Sequence, residues 1–167
     1  MFVWFSDYSK LFILKNLRLF MQIKSCFENK EKIPKKYSCD GEDINPELEI
    51  IDIPSETKSH ALILDDPDAP ARVFTHWVLW QIPVNGNNVK IKENDSLGIK
   101  GMNDAGKLGY IGLCPPSGIH RYYFKVFALN IEIELEEGSI REDLEDEMLG
   151  HIIDSAQLVG VYSRDSS

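Results

Sequence analysis

Two short segments hold most of the side chains in this chain that could do chemistry. The first reads Asp65-Asp66-Pro67-Asp68-Ala69-Pro70 and is followed shortly by His76-Trp77. The second reads Cys114-Pro115-Pro116-Ser117-Gly118-Ile119-His120-Arg121-Tyr122. Each begins with a proline turn and delivers a histidine into an apolar, strand-like run. If the turns meet, two imidazoles, a carboxylate and a phenol share one pocket, a set that suits a small oxyanion. A carboxylate at Asp66 would orient a neighbouring imidazole and raise its pKa. The protonated ring would then donate to a phosphate or carboxylate oxygen, with Tyr122 as a second, neutral donor.

Proline matters here because it fixes φ and removes a backbone donor. Pro67 and Pro70 bracket Asp68-Ala69, and Pro115-Pro116 precede Ser117-Gly118. Each loop therefore has little freedom to lose when a ligand binds. A cis X–Pro bond is compatible with either turn. Strand alternation places His120, Tyr122, Phe124, Val126 and Ala128 on one face, and Arg121, Tyr123, Lys125, Phe127 and Leu129 on the other. The same rule groups His76 with Val78 and Trp80, opposite Trp77 and Leu79. Arg121, turned away from His120, is expected to pair with Asp68 or another acid and to brace the turns. His60 and His151 have no such context and read as structural or exposed.

The elements that must position these turns are mostly strands. His60 to Asp65 is a continuous apolar run, as in a buried central strand. Phe74 to Ile82 is rich in aromatic and β-branched residues and stops at Pro83; His120 to Asn130 is the longest strand-like run. Shorter strands are expected at Gln22 to Phe27, Leu48 to Ile53 and Leu158 to Tyr162. From Pro83 to Gly118 the chain is rich in Gly, Asn, Asp and Pro and reads as a long loop. One helix is expected, with Ser139 as N-cap, Glu142 completing a capping box, and an apolar face of Leu144, Met148, Leu149 and Ile152 running toward Ala156. The expected fold is mostly β, an antiparallel β-sandwich with one or two peripheral helices near the C-terminus.

Bulk composition narrows the function. At 167 residues the chain is long enough for one domain with its own core. A net charge of −9 argues against nucleic acid as a partner, since phosphate backbones are bound by clustered Lys and Arg. The three cysteines, Cys26, Cys39 and Cys114, form an odd set without a CxxC pair, which reads as reduced thiols in a cytoplasmic protein. Residues 1–20 stand apart from residues 21–167. They are apolar but interrupted by Asp7, Lys10, Lys15 and Arg18, too broken for an uninterrupted membrane span and without a signal-peptide pattern. They read as an extension ahead of a start at Met21, or as an interfacial helix; membrane contact is expected only in the second case.

The two segments resemble the signatures of the phosphatidylethanolamine-binding protein family, which includes the Raf kinase inhibitor protein. Asp66 to Pro70 with His76 is similar to the family's Asp-Pro-Asp-Ala-Pro turn and following histidine. Pro115-Pro116 with Gly118 to Tyr122 is similar to its Gly-x-His-Arg-Tyr strand start. Gly41 to Pro46, Gly106 to Gly112 and Glu147 to Arg164 extend the likeness to about residues 21–164, of the small bacterial and archaeal type. The resemblance implies an anion cavity formed by Asp66, Ala69, Pro70, His76, Pro115, Pro116, His120 and Tyr122, with Asp68, Arg121 and Gly118 in support. It implies a non-enzymatic binding protein without cofactor or metal, a small phosphorylated or anionic ligand, a homodimer, and regulation of a protein partner such as a kinase. Three rivals remain: a metal-dependent enzyme on Asp66, His76 and His120; a hydrolase with Ser117 as nucleophile and His120 as base; and an interaction module whose pocket is vestigial.

Overall fold

The computed structural model describes residues 20–164. Its strands are β1 (Gln22–Ser25), β2 (Leu48–Ile51), β3 (Ser59–Asp66), β4 (Phe74–Ile82), β5 (Asn88–Ile91), β6 (Ile99–Lys100), β7 (His120–Leu129) and β8 (Ile152–Tyr162), with a 3-10 turn at Lys35–Tyr37 and, among the described residues, one α-helix, α1 (Arg141–Met148). The strands form two antiparallel sheets, β1-β2-β5 and β6-β4-β3-β7-β8. This is the expected sandwich with a helix near the C-terminus. Residues 1–19, which hold nearly all of the apolar extension, lie outside the described part.

Strand β3 is buried at all eight positions because both of its faces are covered. Leu62 and Leu64 point to the core between the sheets, with Trp77, Leu79, Phe124 and Val126 from the same sheet and Leu48 and Ile50 from the smaller one. Ala61 and Ile63 point the other way, to Val78, Trp80, Leu144 and Met148. The continuous apolar run is thus the signature of a strand sandwiched between two apolar layers. By contrast β7 alternates almost cleanly, buried at His120, Tyr122, Phe124, Val126 and Ala128.

Three expectations about elements are corrected. The loop from Pro83 to Gly118 contains β5, whose Val89 and Ile91 are buried against β2, and the short β6. Four residues are too few for periodicity to reveal. The helix is shorter than expected. Ser139 does not cap it, since its hydroxyl donates to the Glu136 carbonyl, while Asp143 accepts from the Ile140 amide. The helix stops at Met148; Gly150 adopts φ 78, and Ile152 already belongs to β8. Pairing of β8 with β7, from Leu129↔Ile152 to His120↔Tyr162, outweighs the weak helical pattern of that stretch.

The cysteines depart most from expectation. Cys39 and Cys114 form a disulfide, with Cα atoms 5.4 Å apart across a sequence separation of 75, and Cys26 is free. A bridge between Ser38 and Leu113 lays the two loops side by side. Neither an odd count nor a long separation announces such a pairing.

Gly160 lies opposite Tyr122 in the β7–β8 ladder, where a Cβ would stand 2.3 Å from Cγ1 of the fully buried Ile33. We expect Gly160→Ala to destabilise the fold by about 1–3 kcal/mol through overpacking. In urea this appears as a lower midpoint at an unchanged slope. A midpoint equal to that of the parent protein would contradict this account of the packing.

Candidate functional site

Asp66 is the last residue of β3 and, two positions beyond Leu64, faces the same inner side. One carboxylate oxygen, Oδ1, accepts from the Asp68 amide at 2.9 Å, which closes the proline turn on itself. The other, Oδ2, lies 2.7 Å from Nδ1 of His120, and both side chains are almost fully buried. A carboxylate accepts, so Nδ1 carries the hydrogen and Nε2 is left for another partner. Next door, Asp68 grips the residue after His120. Its Oδ2 accepts from the Arg121 amide at 2.9 Å and from Nε at 2.8 Å, and its Oδ1 accepts from Nη2 at 2.7 Å. The guanidinium holds the Asp68 carboxyl down to about 2.

His76 reaches the site by a route that alternation does not anticipate. The β3–β4 register runs Leu64↔Trp77 and then Asp65↔Thr75, so His76 is the extra residue of a β-bulge. The bulge turns His76 away from the Val78 and Trp80 face and toward Tyr122, whose ring centroid is 5.4 Å away, edge-on at 78°. Phe74 backs it at 4.8 Å. Nδ1 of His76 donates to the Ile111 carbonyl at 3.0 Å, since a carbonyl can only accept. Again Nε2 remains.

Burial pushes the His76 pKa below its ordinary value, and the hydrogen bond to Ile111 and the nearby Asp66 and Asp65 charges do not reverse this. His76 is therefore a neutral ring at neutral pH, and the imidazole that Asp66 orients is His120. Tyr122 lies deeper, its ring 6.5 Å from that of His120 and inclined by 25°. Its hydroxyl is buried and makes no hydrogen bond of normal geometry among the described residues, although it lies close enough to Asp66 to feel that carboxylate. Burial, then the Asp66 carboxylate, pushes the phenol's pKa well up, so the hydroxyl keeps its proton and remains a donor.

Of the other expected site residues, Pro115 is buried, Ala69 is half-buried, and Pro70, Pro116 and Gly118 are exposed. Gly118 takes φ 70, a left-handed conformation that glycine adopts without penalty. No cis peptide bond occurs among the described residues. Ser117 is exposed, and no hydrogen bond joins it to His120 among the described residues. Nor do three or more His, Cys, Asp or Glu side chains gather as a metal's ligand set among them. Of the other histidines, His60 is fully buried and burial lowers its pKa; His151 pairs with Asn130.

Several contributors carry no sequence signal of their own. The Ile111 carbonyl fixes the His76 tautomer, and no pattern in a long loop marks one carbonyl. Asp104 accepts from the Thr75 amide at 2.7 Å and pairs with Arg72, anchoring the start of β4. Asp65, beside Asp66, points to the opposite face and is clasped by Lys125 at 2.7 Å and Arg141 at 3.0 Å.

These features define an antiparallel β-sandwich with a cluster of imidazoles, phenol and carboxylate at one end of its larger sheet. The family model for phosphatidylethanolamine-binding protein matches residues 23–163, and the chain belongs to that family, as a ligand-binding protein of that fold. A UPF0098 protein of Methanothermobacter thermautotrophicus is 44% identical over 150 residues, covering 86% of this chain and 99% of the relative. Another, of Aquifex aeolicus, is 49% identical over 148 residues, covering 83% and 85%. Among solved structures, the phosphatidylethanolamine-binding protein homolog CT736 of Chlamydia trachomatis superposes with a TM-score of 0.83 at 40% identity, covering 87% of this chain and 99% of that one. YbcL of E. coli superposes with 0.79 at 26% identity, covering 88% and 100%.

The Asp68–Arg121 brace has a definite pH dependence. The carboxyl's pKa is lowered on folding, so its stabilising effect is complete above the ordinary aspartate value and is lost as pH falls through about 2. An NMR titration of the Asp68 carboxyl should give a midpoint near 2, and Arg121→Gln should return it toward the ordinary value. A midpoint of about 4 in the parent protein would show that the clamp does not hold in solution.

Proposed function

We propose that this protein binds a small phosphate-type anion, free or as a lipid headgroup, and does not turn it over. One observation carries the reading: a buried Tyr122 hydroxyl that makes no hydrogen bond of normal geometry among the described residues, beside two imidazoles whose Nδ1 atoms are both committed. A buried donor left unsatisfied is unfavourable by about 1–3 kcal/mol, and a ligand oxygen would satisfy it. Nε2 of neutral His76 accepts the hydrogen of a protonated phosphate oxygen. Nε2 of His120, whose Nδ1 is held by Asp66, is the second imidazole contact for the anion. The carboxylate of Asp66 is engaged by His120 and the Asp68 amide, which softens its repulsion of the anion. Nothing in this set requires a bond to break.

The likeness to CT736 and YbcL, which are assigned to the phosphatidylethanolamine-binding proteins, supports a headgroup source. A homodimer, implied by the family resemblance, joins this proposal; a cytoplasmic location rests on the odd cysteine count alone. The described residues contain no helix long and apolar enough to cross a membrane. The Cys39–Cys114 bridge bears against the second point, because exposed disulfides do not persist in a reducing compartment.

Millimolar phosphate or phosphoethanolamine should raise the melting temperature, as any ligand selective for the folded state does. His120→Ala should abolish the rise. Tyr122→Phe should weaken binding by about three- to tenfold, as for one lost hydrogen bond, and leave the free protein no less stable. No shift with either ligand in the parent protein, or a full shift in His120→Ala, would sink the proposal.

A further inference from the structure

The disulfide lies where it controls the second proline turn. Leu113 is the last residue before this turn with backbone hydrogen bonds: its carbonyl accepts from Cys39 at 3.1 Å and its amide donates to Tyr37 at 3.4 Å. The next is His120, paired with Tyr162. Between them, no residue from Cys114 to Ile119 makes a hydrogen bond among the described residues. Pro115 and Pro116 have no amide hydrogen to give. Ser117, Gly118 and Ile119 are exposed, Ile119 at 69%. Apart from the packing of buried Pro115, the turn is fastened by the sulfur bridge at its first residue.

The other end of the bridge is firmly held. The Ser38 hydroxyl donates to the Lys35 carbonyl and bonds the Tyr162 hydroxyl at 2.8 Å. The Tyr162 hydroxyl also meets Asp40 at 3.0 Å, and Arg164 pairs with the same carboxylate. The bridge therefore ties a loosely held loop to a fixed one. Both cysteines are exposed, so an attacking thiolate reaches them.

We propose that Cys39–Cys114 is a thiol–disulfide exchange site whose oxidation state sets the order of the 114–119 turn and, through it, the affinity of the anion pocket. The affinity half of this inference rests on the pocket proposed above. In the exchange, one thiolate of a dithiol reductant attacks a bridge sulfur to form a mixed disulfide. The dithiol's second thiolate then closes on the first and releases the protein. Two electrons and two protons pass from the dithiol, leaving two protein thiols and a cyclic disulfide. With the bridge open, Pro115 and Pro116 lose their fixed position beside His120, and ordering the turn becomes part of the work of binding.

The test uses the full chain carrying Cys26→Ser, so that the pair is the sole redox group, titrated with inorganic phosphate before and after dithiothreitol. Backbone 15N order parameters at Ser117 to Ile119 should fall from rigid values to below about 0.6 on reduction, while those of β3 stay unchanged. Phosphate affinity should fall by about three- to tenfold and return on reoxidation. Cys39→Ser should reproduce the reduced protein. Unchanged order parameters, or equal affinities in the two states, would overturn the inference. A loss of order with no phosphate binding in either state would uphold the exchange site as a lock on the turn and would overturn the pocket proposal and, with it, the affinity coupling.

Discussion

Two neighbouring carboxylates on one proline turn grip two neighbouring residues of β7, and the rest of the site depends on that grip. Asp66 takes His120 and Asp68 takes Arg121, so segments more than fifty positions apart are registered to within a hydrogen bond. The two contacts do different things. The Asp68–Arg121 pair is exposed to solvent and, as a surface ion pair, adds little to stability. Its three hydrogen bonds supply geometry, fixing where β7 begins. The Asp66–His120 contact is buried; removing one partner would leave a polar group stranded, which is why it settles the ring's orientation.

Asp65 and Asp66 show how one strand serves both faces of its sheet. Strand alternation sends Asp66 inward to the imidazoles and Asp65 outward to Lys125, Arg141 and Thr75. Burying the Asp65 carboxylate is unfavourable in itself and is tolerated because two cations meet it. In return, the ion pair with Arg141 ties the start of α1 to the outer face, where Leu144 and Met148 cover Ala61, Ile63 and Trp80. The helix is then a lid on the strand that carries the site, and its own polar face needs no role in binding.

Much of this was legible in the sequence for a physical reason. The long strands bury enough residues for their patterns to show, so β3, β4 and β7 could be read nearly to the residue, and the pairing of His120 with Tyr122 followed from alternation alone. The proline turns were visible because proline has few shapes. What escaped was set by contacts remote in sequence. A bulge at His76 needs a partner strand to be defined, and alternation therefore put His76 on the wrong face. Burial of that ring, which keeps it neutral, comes from Phe74, Tyr122 and the Ile111 loop together. The Cys39–Cys114 bridge is not legible in the sequence, because nothing local to either cysteine marks the other. The end of the helix is not legible either, because β-pairing of Ile152 to Ala156 outranks a short apolar periodicity.

The central claim is that two imidazole Nε2 atoms and the Tyr122 hydroxyl converge on one anion. A crystal structure of the protein soaked in millimolar phosphate tests it most directly. The account predicts one phosphate with oxygens within about 3 Å of Nε2 of His76, Nε2 of His120 and the Tyr122 hydroxyl, with the Asp66–His120 contact intact. Phosphate bound elsewhere, or a water molecule alone satisfying Tyr122 with phosphate absent from the pocket, would contradict it.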